Sequence, residues 1–88
     1  MRRIPTDSDG SLRRQFIDDV ADALDGTPRN IADFGTVLFA WGWDPTIGEI
    51  LDAMSILICA GVAELHAQKH TCGKWSRKSD AQHAGPNS

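Results

Sequence analysis

The sequence predicts an all-α fold: a small three-helix domain, expected to be homodimeric, with a disordered C-terminal tail. Three observations lead there. Apolar residues recur at helical spacing in three separate stretches. Each stretch is preceded by capping residues or a Pro-type helix opening. From Thr71 onward the chain is rich in Gly, Ser, His and Lys and holds one large apolar residue, Trp75, a composition that cannot offset its ordering entropy. The expected organisation is a flexible segment at 1–8, a helical domain at 9–70 and a flexible basic tail at 71–88.

The first helix takes its caps from Ser8, Asp9 or Ser11 and places Leu12, Phe16, Ile17, Val20, Ala23 and Leu24 on one face. Gly26 is expected to stop it, followed by Thr27-Pro28. Its outer face carries Arg14, Asp18, Asp22 and Asp25, with Asp19 at the edge. Aspartate is a poor helix former, and Asp25 falls at the negative end of the helix dipole. Something other than helix stability therefore selects these carboxylates. The two readings are a plain solvated face and a docking face for a basic partner.

Thr27-Pro28 opens the second helix, and Ile31, Phe34, Leu38 and Trp41 continue it at spacings that fit residues 28–41. A competing period of two runs through Val37, Phe39, Trp41 and Trp43, which suits a strand. Helix is the expected state, since no partner strand is visible elsewhere. Phe39 and Trp43 then fall off the main apolar face. With Trp41 they make a candidate aromatic patch for a partner, the alternative being that the tryptophans close the end of a small core.

Asp44-Pro45 and the Thr46-x-x-Glu49 capping box start the third helix, expected to run to about Gln68. Ile47, Ile50, Leu51, Met54, Leu57, Ile58, Gly61, Val62 and Leu65 form its main face. Ala53, Ile56, Ala60, Ala63 and Ala67 recur nearly opposite. Small residues at that spacing let a second helix approach closely, which suggests a homodimer interface.

The composition narrows the chemistry. The formal charge of −3 divides into −3 over residues 1–45, −3 over 46–68 and +3 over 69–88. The basic N-terminus has no apolar run behind it, so a signal peptide is not expected, and the two cysteines, Cys59 and Cys72, form no disulfide framework. A cytoplasmic protein with reduced thiols is the expected setting. Cys59 and His66, seven residues apart on one helix, would lie about 10 Å apart, too far for a nucleophile and its base. No enzyme and no cofactor are expected.

Two alternatives remain. His66-x-x-x-His70, with Cys72 beside it, can chelate zinc or nickel, the fourth ligand coming from His83, a dimer mate or water. Exposed histidines near a helix C-terminus are the plain alternative. Helices two and three also outline a helix-turn-helix. The exposed start of the third helix, however, holds Thr46, Gly48, Glu49 and Asp52, which suits phosphates poorly. The expected function is a small non-catalytic interaction module, a regulator, adaptor or inhibitor, docking on a basic protein through Asp18, Asp22 and Asp25 with Phe39, Trp41 and Trp43. Nucleic acid and membrane are not expected partners.

Overall fold

The computed structural model describes residues 2–68 and 71–78. Three helices, α1 (Arg14–Ala23), α2 (Ile31–Ala40) and α3 (Ile47–Cys59), are followed by an antiparallel hairpin of β1 (Ala63–Gln68) and β2 (Thr71–Arg77). The all-α expectation is thus overturned. The hairpin uses residues assigned above to the end of the third helix, and β2 replaces disorder over 71–77.

The physical reason lies at Gly61. Ala60 caps α3, and Gly61 takes φ +78°, a left-handed conformation that Gly adopts without a Cβ penalty. Gly61 N–H donates to Ile58 C=O at 3.0 Å and Val62 N–H to Leu57 C=O at 2.9 Å. This paired closure is a Schellman motif, which satisfies the last carbonyls and ends the helix. Beyond it the chain is extended, with Ala63 opposite Arg77, Leu65 opposite Trp75 and a bulge between His66 and Gln68. Trp75, read above as a lone apolar residue in a loose tail, is buried.

The first helix is shorter at both ends than its apolar spacing suggests. Asp9 takes the N–H and hydroxyl of Ser11 in a tight turn instead of capping α1. Arg13 stands at the N-cap without a side-chain cap bond. At the other end, the Leu24 and Asp25 carbonyls accept from Arg77 of β2, drawing the chain off the helix axis. Arg29 pairs through its backbone with Trp75, so α2 begins after it. Its cap is Asn30, in a reciprocal box with Asp33, rather than Thr27. The Thr46–Glu49 box on α3 forms as the sequence predicts.

Helix wins over strand through Ala40. Gly42 then turns the chain at φ +96°, and Trp43 pairs with Arg3 in a parallel bridge. Residues 2–13 wrap over this junction as a strap that turns back at Asp7–Gly10: Pro5 is buried, Arg13 N–H donates to Pro5 C=O at 2.7 Å, and Thr6 pairs with Leu12.

Phe16, Val20 and Leu24 of α1, Phe34 and Leu38 of α2, Ile50, Ala53, Met54 and Leu57 of α3, Ala63, Trp75 and Trp43 form one core. Trp43 is 1% exposed, meets Phe16 edge-on at 5.2 Å between ring centroids, and donates its indole N–H to Asp19 Oδ2 at 2.6 Å. Trp41, Ile47, Leu51, Ile58 and Leu65, assigned above to apolar faces, are exposed instead. No helix among the described residues is long and apolar enough to cross a membrane.

Two outcomes follow for urea unfolding. Trp43→Phe keeps the ring packing but removes the donor to a carboxylate, so it costs about 1–3 kcal/mol, whereas Trp41→Phe at the surface costs under about 0.5 kcal/mol. Gly61→Ala meets no neighbouring atom within 4 Å and still costs about 1 kcal/mol or more, because the penalty lies in the backbone angle.

Candidate functional site

The outer side of α1 holds Asp18 and Asp22, both exposed. Asp18 is loosely paired with Arg14 at 3.9 Å, between side chains that are 59% and 90% exposed. Asp22 makes no hydrogen bond or ion pair among the described residues. Asp25 has a different occupation. It lies beyond the helix, accepts from Thr27 N–H at 2.9 Å and pairs with Arg29 at 2.7 Å. The Arg29 guanidinium first, and the Thr27 N–H second, hold its carboxyl below the usual aspartate value. Asp19 is also committed, to Trp43 and to Arg3 at 3.5 Å. The excess of aspartate along α1 is therefore partly structural, and Asp18 and Asp22 form the free acidic surface.

The three aromatics separate. Phe39 is 50% exposed and Trp41 44% exposed, at the C-terminal end of α2. Trp43 is a core residue, which removes it from the proposed patch. Arg2 lies over the Phe39 ring and donates to the Phe39 carbonyl. Arg3 reaches the Trp41 carbonyl at 3.4 Å and Asp19 in the same span, so the aromatic end of α2 abuts the α1 surface.

The alanine stripe does not survive as a helix face. Ala53 and Ala63 are buried in the chain's own core, Ile56 and Ala60 are exposed, and Ala67 lies in β1, its side chain outside the described residues. With α3 ending at Cys59, the spacing that suggested a homodimer interface is lost.

The histidine pair loses its helical geometry for the same reason. His66 sits in β1 with Nε2 2.8 Å from Ser76 Oγ. His70 lies outside the described residues, and Cys72 is in β2 with its side chain likewise outside them. No group of three His, Cys, Asp or Glu side chains among the described residues is placed to hold a metal ion. Cys59 is a free, exposed thiol in the last position of α3.

One feature went unread in the sequence. Arg2, Arg3 and Ile4 of the strap, Arg13 and Gln15 at the start of α1, and Trp43 line a cavity of about 470 Å³. The sequence carried a signal for it, the crowding of arginines into the first third of the chain. Only the folding back of the strap brings Arg2 and Arg3 to Arg13.

A scan of protein-family models, a search of curated proteins and a search of solved structures each found no match for this chain.

The Asp25 pairing sets a pH dependence. A carboxylate held below its unfolded value stabilises the fold above the ordinary aspartate pKa and loses that contribution as pH falls through the folded value. Unfolding midpoints measured from about pH 5 down to about pH 2 should therefore drop, and Asp25→Asn should flatten the slope. An unchanged slope in that variant places the acid sensitivity elsewhere.

Proposed function

We propose that this chain is a small non-catalytic interaction module, a regulator, adaptor or inhibitor of the cytoplasm, that docks on a basic protein surface through Asp18 and Asp22 of α1, with Phe39 and Trp41 at the end of α2 as further anchors. The observation that carries this reading is the acidic face itself: two exposed carboxylates one helical turn apart, with only the loose Arg14–Asp18 pair at 3.9 Å, and two half-exposed aromatics at the end of α2. Complementary charge steers a basic partner toward such a face and fixes its orientation. Exposed aromatic side chains supply the anchoring area that charges alone lack. A free, exposed Cys59 suits a reducing compartment.

A second reading, a helix-turn-helix DNA-binding regulator, is favoured by one feature. The hairpin follows α3 and shares backbone pairing with Arg29 ahead of α2, the layout of a helix-turn-helix backed by a wing, an analogy of layout alone. Its weakness is chemical. α3 has no Lys or Arg, and its exposed residues include Ile47, Leu51 and Asp52. Phosphates favour cationic donors, so the protein reading ranks first.

The test reverses charge on the face. Asp18→Lys with Asp22→Lys should slow association with a captured basic partner by about tenfold or more at low salt, and added salt should weaken the wild-type complex. Trp41→Ala should speed dissociation. Capture unaffected by the charge reversal, or salt-sensitive duplex DNA binding that withstands it, would overturn the docking face.

A further inference from the structure

We propose that Arg2, Arg3 and Arg13 form a binding site for a small phosphate-bearing molecule in the cavity between the strap and the start of α1. Six residues line this cavity and none is acidic, although the chain as a whole is negative. Three arginines lining one cavity of a net-acidic protein are costly to place together unless an anion repays them.

Each guanidinium is anchored without being used up. Arg3 pairs with Asp19 at 3.5 Å and lies 3.9 Å over the Trp43 ring. Arg13 pairs with Asp7 at 3.0 Å and donates through Nε to the Ile4 carbonyl at 3.0 Å. Arg2 rests on Phe39 and has no carboxylate partner among the described residues. Arg3 and Arg13 thus each have one carboxylate partner and Arg2 has none among the described residues. The Arg3 and Arg13 side chains are 50% and 48% exposed, so part of each five-donor fork still faces the solvent. Guanidinium forks that are already ordered lose less entropy when they close on an oxyanion.

The ligand class follows from number and size. A phosphate group presents enough acceptor oxygens for three separate guanidinium groups and takes them in bidentate fashion. A cavity of about 470 Å³ falls within the range of small-molecule sites and exceeds what a bare phosphate fills. The remainder of the ligand meets Ile4, which is 54% exposed, and Gln15. The Gln15 amide donates to Asp19 Oδ1 at 3.0 Å, which leaves its carbonyl oxygen to accept from a ligand hydroxyl or N–H. The start of α1 adds to the sign: Arg13 provides no side-chain cap and the first turn has no acid, so its free N–H groups favour negative charge nearby. A polyanion such as DNA fits less well, because Asp7, Asp18 and Asp19 lie around the same end of α1.

The experiment is an NMR titration of the full chain, following the arginine Nε–H and tryptophan Nε1–H signals. Inorganic phosphate, adenosine 5′-monophosphate, adenosine and a short duplex DNA are added at matched ionic strength. Both phosphates should shift the Arg2, Arg3, Arg13 and Trp43 signals saturably, the nucleotide at lower concentration, and adenosine should shift none of them. Arg2→Gln and Arg13→Gln should each weaken nucleotide binding by about tenfold or more, with an unchanged circular dichroism spectrum confirming the fold. Arg14→Gln, on the outer side of α1, should bind as wild type. No saturable response to either phosphate would overturn the proposal. So would equal losses in Arg14→Gln and Arg2→Gln, which would mark a bulk charge effect, or duplex DNA binding more tightly through the same arginines.

Discussion

The fold turns on one buried polar group, the indole N–H of Trp43. A buried donor without an acceptor forfeits its hydration, and here the acceptor is Asp19, a carboxylate on α1. The bond ties α1 to the turn that follows α2, while the ring edge-packs on Phe16 and fills the space between them. Arg3 then closes the arrangement from outside, stacked over the same ring and paired with the same carboxylate. Its backbone N–H donates to the Gly42 carbonyl and its carbonyl accepts from Asp44 N–H, so the strap is fixed in register against the core.

The polar surface follows from that closure. Bringing Arg3 to Asp19 brings Arg2 over Phe39 and sets both beside Arg13, which makes a cationic recess on a protein of negative charge. On the neighbouring outer side of α1, Asp18 holds only a loose pair with Arg14 and Asp22 has no partner among the described residues. Two surfaces of opposite sign therefore flank one helix, and the Arg3–Asp19 pair marks the boundary between them. A small anion and a basic protein would use separate faces.

The hairpin adds the remaining wall of the core. Trp75 and Ala63 are buried, and Arg77 reaches back to the end of α1. This compensates for the short helices: α1 and α2 each span ten residues, and the sheet covers what they leave open. Some apolar surface stays outside, Ile47, Leu51 and Ile58 on α3 among it.

Local chemistry determined much of this. The helical periods of α1, α2 and the first half of α3, the Thr46–Glu49 box and the core positions Phe16, Val20, Phe34, Leu38, Ile50 and Met54 could be read directly, because capping and amphipathic spacing act within a few residues. The exposed carboxylates Asp18 and Asp22 and the exposed Phe39 were legible for the same reason, whereas Trp41, placed by its spacing on the apolar face, is exposed. What the tertiary structure alone decided depends on residues distant in the chain. Gly61 could have been an interruption in a long helix or its end, and the pairing of Ala63 with Arg77 settles which. Thr27 was the cap expected for the second helix, but Trp75 pairs with the backbone of Arg29 and the cap falls to Asn30. Trp43 had a helical and a strand-like reading, and its burial was fixed by Asp19, 24 residues away. The arginine cavity is the extreme case: its members are individually unremarkable in sequence and become a site only when the strap folds back.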